Sequence, residues 1–214
     1  MTKTKQRKSH VWVQSYQQWY VEDQSCTRAL LRVENFAGAI YDPCCGRGNI
    51  VRTALERGID AIGTDIKNRT TDKPYWFYGE YDFLHGDLTP LLVDYRPWNR
   101  SSWSVVVNPP FFRAAGTEQA IRRALEIAKH KVCIFTDVRF LSGKARAEGL
   151  YTECPPHRIW HLSPRPSCPP GEYLAAGNKA GGGTADYCWL VWDLLSPYTG
   201  TQTGWLRILP EDYK

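Results

Sequence analysis

The sequence predicts an α/β domain in which a mostly parallel sheet is covered by helices on both faces. Short apolar segments alternate with helical patterns between residues 38 and 135, and this alternation is typical of a parallel sheet. The chain has 214 residues, enough for one domain with a well-buried core. Glycine-rich or proline-rich turns follow two of the apolar segments. Turns of this kind occur at the carboxyl edge of such sheets, where ligands bind.

The helices and strands can be assigned in chain order. Apolar residues share one face of a helix that begins near Ser25, and helical spacing recurs at 47–57 and 117–129. Residues 137–151 are also expected to be helical, and a short edge strand is expected at 205–209. The strand candidates are the apolar runs at 38–41, 60–64, 81–85, 103–107, 131–135, 157–162 and 187–194.

Charge and hydropathy indicate which partners and which cellular compartment to expect for the protein. Lys and Arg number 27 against 22 Asp and Glu, a net charge of +5 that favours polyanionic partners. The basic residues 1–14 are predicted to form a disordered arm, which either contacts nucleic acid or is a solvated tail. No apolar run is long enough to span a bilayer. We therefore expect a cytoplasmic protein without membrane contact, folded as a single domain over 15–214.

Cysteine and histidine residues raise the question of a metal site. The seven cysteines include no C-x-x-C pair, so we expect reduced thiols rather than a disulfide framework. Cys154, His157, His161 and Cys168 are residue types that bind zinc, but their spacing matches no standard zinc pattern. The alternative is that both histidines flank the core on one strand. We expect no metal.

Acidic residues follow the first three strand candidates. The first of these turns is DPCCGRGN, from Asp42 to Asn49, which runs into a helix. Its glycines let a ligand approach the backbone, and the start of the helix offers N–H groups without helical partners. Asp65 follows the second strand candidate and Asp87 the third. Either acid could cap a helix, but successive strand ends in a parallel sheet face the same crevice.

A second turn, in WSVVVNPPFF at residues 103–112, ends the fourth strand candidate. Three valines indicate a strand buried on both faces, and the two prolines end it at Asn108, because proline cannot donate to a sheet. The turn presents one amide side chain, backbone carbonyls and an aromatic face. This set suits a planar substrate that forms hydrogen bonds. Taken alone, the turn is better explained as a strand end with buried phenylalanines.

The order of these motifs resembles the class I S-adenosylmethionine-dependent methyltransferases that act on the exocyclic nitrogen of adenine. It comprises DPxxGxGN, an acid after the second strand, GD after the third and NPPF after the fourth, within roughly residues 20–193. The segments YVEDQSC, RFLSGKAR, RPSCPPGEY and GGGTADYCWLVWD are similar to small DNA methyltransferases of phages and prophages. The resemblance implies a Rossmann-like, doubly wound sheet of seven strands, mostly parallel, with the last strand antiparallel.

The resemblance also implies a site for the cofactor S-adenosyl-L-methionine. Its ribose would be held by Asp65 and its adenine amine by Asp87. The family tends to have proline where this chain has Asp23. The other residues expected around the cofactor, mostly at its methionine part, are Tyr20, Glu22, Asp42, Cys44, Gly46, Gly48 and Asn108.

The same resemblance assigns catalysis to the NPPF turn, residues Asn108, Pro109, Pro110 and Phe111. The Asn108 side-chain oxygen and the Pro109 carbonyl would accept the two protons of adenine N6, which raises the electron density on the nitrogen that attacks the methyl group. Phe111 would stack on a base extruded from its strand, and Phe112 would pack behind it or line the mouth of the pocket. The cofactor supplies the electrophile, so no metal is required.

DNA is the expected partner, with adenine N6 as the methyl acceptor. Adenine in RNA, cytosine N4, a protein glutamine amide and a non-catalytic binding role stay open as alternatives. The long polar segment 163–186 is expected to recognise the target or to form a lid. For its glycine-rich part, residues 177–186, a plain linker is the alternative. Contacts with nucleic acid are expected from Phe112, Arg139, Lys144, Arg146 and Arg165. For the four basic residues among them, a position on a solvated face without such contacts is an equally good explanation.

Overall fold

The computed structural model describes residues 15, 18–87 and 102–214, so the predicted basic arm at 1–14 lies outside the described residues. Within them, one sheet has the strand order β3-β2-β1-β4-β5-β7-β6-β8. The strands are β1 (Ala39–Asp42), β2 (Ala61–Asp65), β3 (Phe77–Glu80), β4 (Trp103–Val107), β5 (Lys131–Asp137), β6 (Arg158–Ser163), β7 (Tyr187–Asp193) and β8 (Gln202–Arg207).

The direction of the strands follows the predicted fold. β1 pairs in parallel with β2 and β4, β2 with β3, and β4 with β5. β7 runs antiparallel to both of its neighbours, β5 and β6, whereas β8 is parallel to β6. The Rossmann-like, mostly parallel α/β fold with a reversed strand is therefore confirmed, and the reversed strand is β7 rather than the last strand, β8. The described sheet has eight strands rather than seven, because the expected short edge strand forms β8 beside β6.

Helices pack on both faces of the sheet. The three predicted from periodicity are α1 (Gln24–Val33), α2 (Asn49–Glu56) and α3 (Ala115–Ile127). Asp23 caps α1, because its carboxylate accepts a hydrogen bond from the N–H group of Ser25 (2.9 Å). No helix among the described residues has the length and apolar character that a membrane span requires.

The helix expected over 137–151 is interrupted. It consists of a 3₁₀ turn (Val138–Ser142), α4 (Lys144–Glu148) and the start of α5 (Leu150–Glu153). Gly143 and Gly149 separate these pieces with non-helical backbone angles. Beyond β6, a short α-helix, α6 (Gly171–Ala175), lies inside the segment 163–186, and a 3₁₀ turn (Pro210–Tyr213) follows β8.

The core consists of two apolar layers, one on each face of the sheet. In β4, Val105 and Val107 belong to the layer that contains α3, whereas Val106 belongs to the layer that contains α1 and α2. None of these three valines has exposed surface. The interpretation of this strand as buried on both faces is therefore confirmed. Packing from both sides holds the end of β4, and with it Asn108, at the centre of the sheet.

The third strand does not lie where the sequence analysis placed it. β3 pairs with β2 and ends at Glu80, whereas residues 81–85 leave the sheet and turn. The Asp82 carboxylate holds the turn by accepting hydrogen bonds from the N–H groups of Leu84 (3.0 Å) and His85 (3.1 Å). The apolar run at 81–85 reflects burial against the core, which does not require a strand. The prediction of a strand at 81–85 is wrong.

Candidate active site

Two of the predicted motifs meet at one edge of the sheet. β1 and β4 are adjacent and parallel, with Tyr41 paired with Val105. The DPCCGRGN turn after β1 and the NPPF turn after β4 therefore leave the sheet at the same edge. The strand order reverses here, since β2 and β3 lie on one side of β1 and β5 lies beyond β4. In open α/β sheets, ligands bind in the crevice at such a point.

A cavity of about 640 Å³, called the first cavity below, lies in this crevice. Its lining comes from the ends of β1, β2 and β4 and from the segment before α1. Gly48 and Asp87, two of the residues predicted to bind the cofactor, are not in the lining. The others all line it: Tyr20, Glu22, Asp42, Cys44, Gly46, Asp65 and Asn108.

The glycine-rich turn is held in shape by the acid that follows β2. The N–H group of Gly46 donates to Oδ2 of Asp65 (2.8 Å), and Gly46 has a φ of 52°, which favours glycine. Gly48 is required for a different reason. It caps α2 with a φ of 81°, and a Cβ atom there would overlap the ring of Trp76. Gly48 therefore serves packing, whereas Gly46 borders the cavity.

Asp82 occupies the position that the sequence analysis gave to Asp87. Because β3 ends at Glu80, the acid that follows it into the crevice is Asp82, which lines the first cavity together with Phe83. Asp87 lies farther along the chain and is exposed. The signal for Asp82, an acid directly before a buried apolar pair, is present in the sequence. The wrong strand assignment at 81–85 led to Asp87 instead.

Three carboxyl groups are buried around the first cavity. Burial raises the pKa of Glu22 to about 7 and raises the pKa of Asp42 well above its usual value. Burial also raises the pKa of Asp65, although hydrogen bonds from the backbone N–H groups of Gly46 and Lys67 oppose this shift. Clustered buried acids make a cation the favoured ligand, since a positive charge stabilises their ionised forms.

Sequence reasoning also missed Trp19 and Arg69, which line the first cavity and contact each other. The guanidinium of Arg69 lies 4.4 Å from the centre of the Trp19 ring, and its Nε donates to Oδ1 of Asp65 (3.2 Å). Both side chains of this ion pair are buried, with 6% and 7% of their surface exposed. The sequence offered a weak indication for Trp19, which is the neighbour of Tyr20. It offered none for Arg69, a lone arginine in a turn.

The side-chain amide of Asn108 is held in a defined orientation. Its Nδ2 donates to the backbone carbonyl of Tyr20 (3.0 Å) and to Oε2 of Glu22 (2.7 Å). Its Oδ1 is buried and has no hydrogen-bond partner among the described residues. A buried polar atom without a partner is costly in a folded protein. This amide oxygen is therefore suited to accept a hydrogen bond from a bound ligand.

The remainder of the NPPF turn is closely packed. Pro109 is buried and Pro110 lines the first cavity. A Cβ atom at Gly116, in the first turn of α3, would overlap the carbonyl of Pro110. Phe112 also lines the first cavity and is 46% exposed, and its N–H group donates to Oε1 of Gln18 (3.3 Å). The turn is thus fixed from behind by α3 and from the front by the segment before α1.

Phe111 lines a second cavity, of about 900 Å³. Its ring packs near Tyr20, with ring centres 5.8 Å apart and planes inclined by 35°. Tyr20 and Gln18 line both cavities. Cys168 lines the second cavity, and its Sγ lies 4.0 Å from Nδ2 of Asn108. Asn108 therefore lies at the boundary between the two cavities.

Two hydroxyl groups of the second cavity are buried without hydrogen-bond partners in the described part of the chain. They are Oγ1 of Thr117, in α3, and Oγ of Ser167. A hydroxyl group can both donate and accept a hydrogen bond, so it adapts to either kind of atom on a ligand. Together with the ring of Phe111, these groups suit a flat ring with a polar edge.

The segment 163–186 contributes to the wall of the second cavity. The N–H group of Val21, before α1, donates to the carbonyl of Pro169 (2.9 Å). Both ends of the segment line the second cavity, whereas 175–182 are exposed. Both ends of the segment therefore belong to the cavity wall, whereas target recognition, lid formation and a plain linker at 177–186 stay open as roles of its exposed part.

The basic residues predicted to contact nucleic acid all have partners within the protein. Arg139 and Arg146 also line the second cavity. Exposed ion pairs contribute little to stability, so a phosphate group can replace the carboxylate partner at small cost. The pairs are Arg139 with Asp137 (2.6 Å), Lys144 with Glu148 (3.7 Å), Arg165 with Asp186 (2.7 Å) and Arg146 with the carbonyl of Phe140 (2.6 Å).

The four residues considered for zinc lie apart. Cys154 and Cys168 pack in the core layers on opposite faces of the sheet. His157 accepts a hydrogen bond from the N–H group of Asp193 (3.2 Å) through Nδ1. Within the described residues, no group of three or more His, Cys, Asp or Glu side chains is arranged to hold a metal ion.

Comparison with known proteins shows similarity at the level of the fold. The chain matches no family model and no curated protein. Among solved structures, it is similar to a "putative hemolysin" from Streptococcus thermophilus, with a TM-score of 0.54 and 11% identity over 84% of this chain and 67% of that chain. A "putative hemolysin" from Lactococcus lactis gives a TM-score of 0.51 and 13% identity over 89% and 96% of the two chains.

A third similar structure is "a modification subunit of a putative type I restriction enzyme" from Vibrio vulnificus YJ016. The TM-score is 0.51 and the identity 14% over 90% of this chain, which spans about half (48%) of that subunit. Identities this low establish a shared fold and leave function to the site itself. The chain has the Rossmann-like α/β fold expected of class I methyltransferases.

Proposed function

We propose that this protein is a methyltransferase that transfers a methyl group from S-adenosyl-L-methionine to N6 of adenine in DNA. The observation that carries the proposal is the buried amide oxygen of Asn108, which has no partner among the described residues. The amide lies at the boundary of two cavities. One cavity suits a cationic cofactor, and the other suits a flat base with a polar edge. A substrate amine between them would donate to Asn108.

The first cavity fits the cofactor through the chemistry of its lining. S-adenosyl-L-methionine carries positive charge on its sulfonium and amino groups, and the buried carboxyl group of Asp42 complements that charge. The turn from Asp42 through Cys44 to Gly46 would surround the methionine part. Asp65 would accept hydrogen bonds from the ribose, and Asp82 takes the role of holding the adenine amine. When bound, the cofactor supplies an electrophilic methyl group.

Residues of the NPPF turn would make the acceptor amine more nucleophilic. The lone pair of adenine N6 is delocalised into the ring, so the amine alone attacks slowly. Hydrogen bonds from its two protons to Oδ1 of Asn108 and to the carbonyl of Pro109 return electron density to the nitrogen, most strongly as the new bond forms. Transfer would form the N–C bond as the methyl–sulfur bond breaks, leave S-adenosyl-L-homocysteine as a neutral thioether, and release one N6 proton to water.

The second cavity would receive the extruded base. Phe111 offers a ring for stacking, and the hydroxyl groups of Thr117 and Ser167 offer hydrogen bonds to ring nitrogens. Arg139, at the same cavity, would exchange Asp137 for a backbone phosphate. Each of these contacts is available to a nucleotide, and together they favour a nucleic acid over a peptide as substrate.

Other acceptors present the same planar NH₂ group. They are adenine in RNA, N4 of cytosine and the side-chain amide of a protein glutamine. Transfer of tritium from labelled S-adenosyl-L-methionine to DNA, RNA and protein tests the proposal, with the methylated product identified by mass spectrometry. We expect label in DNA as N6-methyladenine. Label elsewhere would select an alternative acceptor, and no transfer at all would favour a non-catalytic binding protein.

Replacing Asp65 with alanine should weaken cofactor binding before it affects the chemical step. A charge-assisted hydrogen bond is worth about 1.5–3 kcal/mol, so the dissociation constant should rise roughly 10- to 150-fold. Calorimetry measures this affinity, and thermal unfolding of the same variant shows whether the turn at Gly46 stays intact. Unchanged affinity would restrict Asp65 to holding Gly46 and Arg69 in place.

Replacing Phe111 with alanine should harm activity on duplex DNA more than on single-stranded DNA. Extruding a base from a duplex costs a few kcal/mol and less from a single strand, and stacking on an aromatic ring contributes roughly 1–3 kcal/mol. We expect kcat/KM on duplex to fall roughly 10- to 100-fold. Phe112→Ala is the matched control, since Phe112 lines the first cavity and should not discriminate between the two substrates. Equal losses for Phe111→Ala would make Phe111 a packing partner of Tyr20.

A further inference from the structure

The carboxyl group of Glu22 lies against the amide of Asn108, deep in the protein. Oε2 of Glu22 accepts a hydrogen bond from Nδ2 of Asn108 at 2.7 Å, and only 6% of the Glu22 surface and 9% of the Asn108 surface are exposed. The carbonyl of Tyr20 accepts the second hydrogen bond from the same nitrogen, at 3.0 Å. Because both acceptors bind the Nδ2 side of the amide, Oδ1 points away from them.

The orientation of an amide depends on its hydrogen-bond partners, because its oxygen and nitrogen ends have nearly the same shape. An ionised carboxylate only accepts hydrogen bonds, so it holds the NH₂ end of Asn108. A protonated carboxyl group also donates, so it tolerates the reversed amide. In that reversed state, Asn108 would turn its NH₂ group toward the substrate amine. Two donors would then face each other and the acceptor needed for transfer would be lost.

We propose that Glu22 is a positioning residue that acts through Asn108, holding the amide so that Oδ1 faces the methyl-accepting amine. The inference rests on the proposed function and adds a residue to it. It also changes the role of Glu22, which the family resemblance places beside the methionine part of the cofactor. In this role the carboxylate binds the amide rather than a reacting group, and it decides which end of the amide faces the substrate amine.

The surroundings of Glu22 make its ionisation sensitive to pH near neutrality. Burial raises its pKa to about 7, the hydrogen bond from Asn108 lowers it, and the charge of Asp23 raises it. Besides burial, the charge of Glu22 in turn raises the pKa of three titratable groups that face it, Cys26 from α1, Asp42 from β1 and Cys168 from segment 163–186. The carboxylate forms above its pKa, so turnover should rise as the pH increases through about 7.

Glu22→Gln tests the inference because glutamine keeps the shape but can accept or donate toward Asn108. We expect kcat to fall roughly five- to tenfold, as a charge-assisted hydrogen bond becomes a neutral one. The KM for the cofactor should stay within about twofold, and the rise in kcat near neutral pH should disappear. Asp23→Asn is the matched control. Asp23 caps α1 and its charge raises the pKa of Glu22, so this variant should move the rise in kcat to lower pH without abolishing it.

A cofactor KM that rises tenfold or more in Glu22→Gln, with kcat unchanged at saturation, would make Glu22 a cofactor-binding residue and overturn the proposal. NMR of the asparagine side chains gives a readout that needs no turnover. The NH₂ signal of Asn108, identified by its loss in Asn108→Ala, should titrate near pH 7 in the wild type and stay constant in Glu22→Gln. If the Asn108 NH₂ signal titrated equally in the wild type and in Glu22→Gln, the ionisation of Glu22 would not control Asn108 and the proposal would be overturned. Absence of transfer by the wild type would instead reject the proposed function.

Discussion

Replacing Asn108 with alanine is expected to lower methyl transfer by roughly 100- to 1,000-fold, the loss typical when one preorganised polar group is removed from an active site. The variant removes the buried amide oxygen that we propose as an acceptor for the substrate amine. Affinity for S-adenosyl-L-methionine should stay within a few fold of the wild type, because Asp42 and Asp65 still line the cavity. Single-turnover kinetics and calorimetry measure these two quantities.

The matched control for this prediction is Asn68→Ala. Asn68 lies in the turn after β2, accepts a hydrogen bond from the N–H group of Thr70 (2.9 Å) and is not in the lining of the first cavity. The same truncation should leave turnover near the wild-type value. Thermal unfolding of both variants separates a catalytic loss from a folding defect. If Asn108→Ala turned over as fast as Asn68→Ala, the catalytic role of Asn108 would be excluded.

The position of the crevice could be predicted from sequence because it depends on short-range signals. A buried strand followed by a polar turn locates a strand end without knowledge of any distant contact, as at Asp42 and Asn108. Parallel strands then bring their carboxyl ends to one edge, whatever their order in the sheet. These two steps are sufficient to place DPCCGRGN and NPPF in the same crevice.

The features of the site that could not be predicted from sequence depend on contacts between distant parts of the chain. The hydrogen bond between Glu22 and Asn108 joins residues that are 86 positions apart, and nothing local to either residue indicates it. The same holds for the stacking of Arg69 on Trp19. At the third strand, periodicity alone did not distinguish a strand from a buried turn. One wrong boundary there was enough to move the predicted acid from Asp82 to Asp87.

A buried charge cluster joins α1 to the strands at the edge of the sheet opposite the crevice. Glu34, which follows α1, is 3% exposed and accepts hydrogen bonds from Lys131 (2.7 Å), Arg158 (2.5 Å and 2.9 Å) and the indole of Trp160 (2.9 Å). Arg158 also donates to Asp193 (3.0 Å). Lys131 and Arg158 begin β5 and β6, so one carboxylate links a helix to two strands. No sequence motif marks this cluster.

Replacing Glu34 with alanine should destabilise the protein by about 3–5 kcal/mol, the cost of removing one partner from a buried ion pair. Lys131 is 7% exposed on its side chain and keeps Asp193 at 3.6 Å as a more distant partner, so water does not replace the lost carboxylate. Urea unfolding measures the free energy of unfolding. Glu56→Ala is the matched control, since Glu56 pairs with Arg28 at 2.9 Å but is 51% exposed. Exposed pairs of that kind contribute about 0–1 kcal/mol.

The pH dependence of this loss distinguishes the ion pair from simple packing. Burial raises the pKa of Glu34, but hydrogen bonds from Arg158, Lys131 and Trp160 outweigh burial and hold it below the ordinary value of 4.5. A carboxyl group with a lowered pKa stabilises the fold above its unfolded pKa and loses that contribution as the pH falls through its folded pKa. The difference in unfolding free energy between wild type and Glu34→Ala should therefore be full at neutral pH and shrink below about pH 4.5. A difference that stayed constant down to acid-induced unfolding would show that Glu34 acts through packing and not through its charge.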